Sequence, residues 1–260
     1  MKKNMYFILC LLFTMGMFVY ASILNKSLST GKVALGSEYY YNEEDKNEDS
    51  KTMNQNKTYD NQDDPITIDT DPNSIKVFIN KEYGLPSTYV PDDLIVPNIS
   101  FQFMYNDDKR KLRKEAAKAL EKLVQTALEN GIKLYGVSGY RSYKRQLEIY
   151  NRNVATRGAH TTNMVSAVPG YSEHQSGLAI DISSASVSFR LDQDFGSTKE
   201  GIWLAEHAHK YGYIIRYPED KSYLTGYSYE PWHIRYVGVK TAKYMYKNDL
   251  CLEEYYNYTP

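Results

Sequence analysis

Hydrophobic and polar positions alternate strictly over residues 178–183. Leu178, Ile180 and Ile182 fall on one side, and Ala179, Asp181 and Ser183 on the other, which is the period of a strand. Between Asp107 and Asn130 the period changes. Leu112, Ala116, Ala119, Leu120, Leu123, Val124, Ala127 and Leu128 recur at helical spacing, and Asn130-Gly131 ends the run. IKVFIN (75–80) and IKLYGVSGY (132–140) read as strands, the second leading into a helix that the Ser142 hydroxyl can cap. GIWLAEHAHKYGY (201–213) reads as a helix, IIRYP and HIRYVG as strands, and VKTAKYMYKN as a closing helix. Helices and strands mix without a regular βαβ rhythm. This predicts an α+β fold in which helices pack on a small, mainly antiparallel sheet.

The N-terminal pattern is different. Lys2 and Lys3 precede an uncharged, mostly apolar run from Met5 to Leu24, long enough for one membrane span and placed so that the remainder lies outside the cytoplasm. Residues 1–24 are therefore expected to be a signal anchor holding the protein at the cell membrane. Val19-Tyr20-Ala21 resembles a cleavage site, so a cleaved signal peptide and a secreted product is the alternative. Residues 25–72 read as a spacer: from Glu38 to Pro72 eleven acidic residues stand against three lysines, with almost no apolar periodicity to offset ordering entropy. Residues 73–260 form the expected folded domain, mildly basic beside its acidic leash. The whole chain carries a net charge of −1, which gives no reason to expect a nucleic-acid partner. Cys10 and Cys251 are the two cysteines and are too far apart in kind to suggest a disulfide, and four-thiolate zinc sites are excluded.

Candidate chemistry gathers at two places. PGYSEHQSGLAIDIS (169–183) sets His174 in a Pro/Gly-framed loop seven residues before Asp181, a carboxylate inside an apolar strand that needs solvent, a hydrogen-bond network or a cation. For this pair alone, an exposed Asp beside a loop His is an equally good reading. EPWHIRY (230–236) supplies the second place. Pro231 disfavours helical geometry at Glu230, so a turn feeds a strand opened by His233. Two imidazoles and one carboxylate make a donor set suited to Lewis-acid zinc with an open position for water, and Glu230 would be an acid left over to move protons. His207 and His209 point to different faces of a helix and His160 lies in a polar loop, so these three are expected to be surface or packing residues. Trp232 and Tyr171 flank the candidate ligands as pocket walls or as core.

The runs SEHQSGLAID and EPWHIRY, together with INKEYGLPSTYVPDDL (79–94), SGYRSYKRQ (138–146) and WLAEHAHKYGYIIRYP (203–218), resemble the VanY-type D-alanyl-D-alanine carboxypeptidases. These are zinc peptidases of peptidoglycan, grouped with L,D-carboxypeptidases and more distantly with the zinc domain of hedgehog proteins. The likeness spans about residues 75–240. It implies a hedgehog/D,D-peptidase-like zinc domain with Zn²⁺ on His174, Asp181 and His233, and Glu230 as the base. It implies that Arg141 holds the substrate and polarises the scissile carbonyl, with Ser142, Gln146 and Ser172 lining the pocket for the C-terminal residue. The expected activity is removal of the terminal D-alanine from peptidoglycan stem peptides, by a monomeric catalytic domain of a family linked to glycopeptide resistance. L,D-cleavage of tetrapeptides, or a non-catalytic zinc domain that binds wall peptides, are the alternatives. Retention of Glu230 and Arg141 argues against the last, because a binding module needs no base.

Overall fold

A computed structural model describes residues 66–260. The expected anchor and most of the expected spacer lie outside the described residues, and within 66–260 no helix is long and apolar enough to cross a membrane. Ile66 and Ile68, at the end of the expected spacer, pack against a buried cluster around Phe78, and Phe78 N–H donates to the Asp69 carbonyl. Among the described residues, packing thus reaches back into the expected spacer as far as Ile66.

The core of the fold is a four-stranded antiparallel sheet, β3 (Tyr135–Ser138), β4 (Ala179–Ser183), β6 (His233–Tyr236) and β5 (Tyr213–Ile215) in that spatial order. A separate two-stranded ribbon pairs β1 (Leu94–Ile95) with β2 (Leu112–Arg113). The α+β class expected from the pattern is the class observed. Helix α1 (Lys114–Glu129) carries the predicted stripe: Ala116, Leu120, Leu123 and Ala127 are fully buried in one cluster with Leu178, Ile180, Ile182 and Ile234 of the sheet. Leu128, at the edge of that stripe, is 51% exposed. The helix is shorter than its periodicity suggests, because Leu112 and Arg113 pair with β1 rather than joining the first turn.

Ser142 caps α2 (Tyr143–Arg157), its hydroxyl accepting from Arg145 N–H at 3.2 Å, and a short helix α3 (Ala159–Val165) follows. Helix α4 (Lys199–His207) and a 3₁₀ turn (Ala208–Tyr211) fill the predicted 201–213 segment, and α5 (Val239–Lys247) closes the sheet side. IKVFIN is not a strand. Its Val77, Phe78 and Ile79 are buried as predicted for an apolar run, yet the Ile79, Val77 and Ile75 carbonyls accept from arginine side chains rather than from a neighbouring strand.

Register positions the chemistry. Asp181 on the inner strand β4 pairs with Ser138 on one side and with His233 on the other, so the three side chains form a row on one face. Ile180 pairs with Ile234 on the opposite face, against α1.

Candidate active site

His174 sits on a 3₁₀ turn (Glu173–Ser176) that Gly177 ends in the left-handed conformation, φ 68°. A side chain there would be strained, and a Cβ would also meet Leu94 at 2.8 Å. The turn is laced to the chain leaving β3: Arg141 N–H donates to the His174 carbonyl at 3.1 Å, and the Gly139 carbonyl lies 2.8 Å from His174 Nδ1. A carbonyl only accepts, so Nδ1 carries the hydrogen and Nε2 keeps a lone pair. At the second histidine the roles are reversed. His233 Nε2 donates to Glu173 Oε2 at 3.3 Å, leaving the Nδ1 lone pair to face inward.

The inward nitrogens converge on one carboxylate. His174 Nε2 is 3.5 Å from Asp181 Oδ2, and His233 Nδ1 is 3.2 Å from Asp181 Oδ1. The imidazole rings meet edge to face, 5.0 Å between centroids. All three residues are buried, and their donor atoms lie within 4.8 Å of one another. Asp181 Oδ1 is buried without a hydrogen bond. Two lone pairs and a carboxylate aimed at one point repel unless a proton or a cation lies between them, so these residues fit a divalent metal. The proton equilibria carry the same signature. Burial holds His174 down to about 3, with Arg141 adding to that effect against the pull of Asp181. Burial acts in the same direction on His233, but the adjacent Asp181 and Glu173 carboxylates outweigh it and raise this imidazole to about 9. Asp181 stays below the usual carboxylate range because the histidines and Arg141 outweigh its burial.

Glu230 and Arg141 complete the site. The turn Glu230–Pro231–Trp232–His233 is closed by His233 N–H donating to the Glu230 carbonyl at 3.1 Å, with proline in its favoured second position. This puts Glu230 Oε2 3.8 Å from His233 Nδ1. Burial raises the Glu230 carboxyl to about 7, Asp181 adding to the shift and His233 opposing it. Arg141 donates to Gln146 Oε1 at 2.9 Å and to Ser138 Oγ at 3.1 Å, both neutral acceptors. Among the described residues no carboxylate forms an ion pair with it, and burial lowers its pKa. A half-buried guanidinium held by neutral groups retains its charge for an incoming anion.

These side chains share a cavity of about 490 Å³, whose wall includes Arg141, Ser172, His174, Asp181, Glu230 and His233. Trp232 is on that wall, and Asn153 and Arg157 of α2 extend it. Ser142 and Gln146, expected as pocket-lining residues, are not among the residues of that wall. The Ser142 hydroxyl caps α2, and Gln146 bridges Arg141 to the Ala167 carbonyl at 2.6 Å. Tyr171 packs beside Gly84. His207 stacks on Trp203 and His209 on Tyr246, and His160 is exposed, so none of the three joins the site.

With this geometry in hand, similarity to known proteins decides the family. The model of VanY, D-alanyl-D-alanine carboxypeptidase, matches residues 109–239. The chain belongs to the VanY family. One relative, a putative carboxypeptidase YodJ of Bacillus subtilis, is 50% identical over 185 residues, which cover 71% of this chain and 68% of that protein. Among solved structures, the LD-carboxypeptidase LdcB is 49% identical with a TM-score of 0.70, covering 73% of this chain and 88% of that one. A D,D-pentapeptidase VanY from a VanB-type resistance cassette, solved in complex with Zn(II), is 31% identical with a TM-score of 0.55, covering 69% of this chain and 97% of that one. Membership makes the chain a peptidase of the carboxypeptidase type.

Sequence reasoning missed Glu173, Arg216, Arg235 and Glu253, a fully buried charge cluster behind His233. A signal was available: IIRYP and HIRYVG each put an arginine inside an apolar strand run, which requires a buried acid as partner.

Proposed function

We propose that this protein is a zinc-dependent carboxypeptidase that removes the terminal D-alanine from peptidoglycan stem peptides outside the cytoplasm. His174, Asp181 and His233 hold the metal, Glu230 is the general base, and Arg141 receives the substrate carboxylate, with Ser172 on the pocket wall, Gln146 fixing Arg141 and Ser142 capping the helix that follows. One observation carries this reading: a guanidinium with no direct ion pair among the described residues, a carboxyl raised to about 7 and a metal-competent triad border a single cavity.

Zinc at the triad would polarise the scissile carbonyl and make water acidic enough to attack near neutrality. The chain's own groups do the rest. Arg141 binds the C-terminal carboxylate and so aligns the last peptide bond with the triad. Glu230, titrating near neutrality, takes a proton from the attacking water and delivers it to the departing amine. Burial of Asp181 and both histidines keeps bulk water from competing for the ligand atoms.

The D,D-activity named for the VanY structure and the LD-activity named for LdcB use the same chemistry. The higher identity to LdcB favours an L,D-reading as the second possibility, in which a tetrapeptide loses its terminal D-alanine. The N-terminal apolar run Met5–Leu24 supports membrane attachment of the domain. Release of D-alanine from synthetic stem peptides, with and without a zinc chelator, tests the proposal.

A further inference from the structure

Glu173 immediately precedes His174, yet it serves the other histidine. Its side chain is 0% exposed, and such burial of a carboxylate is costly unless every oxygen is engaged. Its two oxygens have different partners. Oε1 accepts from Arg216 Nε at 2.8 Å and from Arg235 Nη1 at 2.6 Å. Oε2 is left to His233 Nε2 at 3.3 Å. Glu253 shows what an acid that only neutralises arginine does here: both of its oxygens grip Arg216, at 2.8 Å and 2.7 Å, in a two-pronged contact. Glu173 forgoes that fork and turns one oxygen to the imidazole. Backbone carbonyls complete the anchoring: Arg216 Nη2 donates to the Ile79 carbonyl at 3.1 Å as well as to Glu253, and Arg235 donates to the Val77 and Tyr236 carbonyls at 2.7 Å and 3.0 Å. Two guanidiniums and two carboxylates thus make a neutral, rigid frame. The Tyr217 ring, 5.0 Å from the His233 ring, packs beside the same imidazole.

We propose that Glu173 is the positioning residue of the metal centre: it fixes His233 with Nε2–H turned into the frame and Nδ1 turned to the metal, and strengthens Nδ1 as a donor. The inference rests on the metal-centre reading above. A carboxylate accepting the far N–H of a ligating imidazole sets its tautomer and raises its basicity, and loss of such a partner typically weakens metal binding by about 10–100-fold. Glu173 acts through His233 and does not touch the substrate.

The test compares two single-charge changes in the same frame by chelator competition for zinc. Glu173→Gln keeps an acceptor of the same shape but loses the charge beside His233, and zinc affinity should fall by about 10–100-fold. Glu253→Gln removes a charge from the far side of Arg216. It should lower the melting temperature of the metal-free protein while zinc affinity stays near wild type. Equal affinity losses in both variants, or wild-type affinity in Glu173→Gln, would overturn the proposal, because the frame would then be merely structural. Should Glu173→Gln fail to fold, the wild type decides. Long-range ¹H–¹⁵N spectra of the zinc-loaded protein should show His233 protonated at Nε2, and metal at Nε2 instead would refute the assignment. Failure of the wild type to bind one zinc would sink the metal-centre reading itself, a distinct outcome.

Discussion

Glu230 Oε2 stands 3.8 Å from His233 Nδ1, and the same backbone hydrogen bond that closes their shared turn fixes both side chains at the cavity wall. The separation is too long for a hydrogen bond and leaves room for a small ligand to contact both. Glu230→Gln should therefore retain zinc while losing about 10²–10⁴-fold in turnover, since it removes proton transfer and not a ligand. Metal analysis alongside steady-state rates checks it. Near-wild-type turnover would mean that another group activates the water.

Arg141 makes the complementary prediction for substrate binding. Its contacts with Gln146 and Ser138 hold the guanidinium plane in place, and among the described residues no carboxylate forms a direct ion pair with it. Arg141→Ala should raise KM and lower kcat together, and Arg141→Lys should rescue poorly because a point charge cannot reproduce a planar contact. Amidation of the peptide C-terminus should reproduce the loss in the wild type and add little in Arg141→Ala. Equal cleavage of free and amidated peptides would show that the carboxylate is not recognised.

The proton inventory of zinc binding follows from the two histidines. In the metal-free site His233 titrates at about 9 and is protonated at pH 7, whereas His174 titrates at about 3 and is neutral. Zinc must displace the His233 proton, so binding at pH 7 should release at least one proton, and affinity should rise as pH increases toward 9. Calorimetry in buffers of different ionisation enthalpy measures this. An affinity independent of pH between 7 and 9 would contradict the assigned protonation.

Gly139 links the fold to the site at one atom. Its carbonyl holds His174 Nδ1, and a Cβ at this position would lie 2.6 Å from the Lys111 carbonyl oxygen, a backbone atom that cannot swing away. Gly139→Ala should cost about 1–3 kcal/mol of stability through overpacking and also weaken zinc binding as the carbonyl shifts. Thermal melts of the metal-free protein and chelator competition separate the two effects.

Alternation in LAIDIS was enough to put Asp181 on the face opposite Ile180 and Ile182, because burial on that opposite face sets a two-residue period that sequence alone reveals. The antiparallel pairing that seats Asp181 directly across from His233 was not legible, since register between strands some fifty residues apart depends on tertiary packing. IKVFIN misled for a related reason. Its apolar residues are buried as expected, but buried arginines occupy the carbonyls that a partner strand would otherwise use. Glu173 went unnoticed because an acid beside a loop histidine resembles a solvated one, and only the fold shows two arginines arriving from β6 and the end of β5. Ser142 was legible as a cap and is a cap.

Incubation of the full-length protein with a synthetic stem pentapeptide and tetrapeptide, followed by mass analysis, tests the central claim most directly. The account predicts loss of a single C-terminal D-alanine from at least one of the two, no internal cleavage, and abolition of activity by a zinc chelator with recovery on adding zinc. Cleavage that persists in the chelator, or an unchanged peptide with a stoichiometrically zinc-loaded protein, would contradict it.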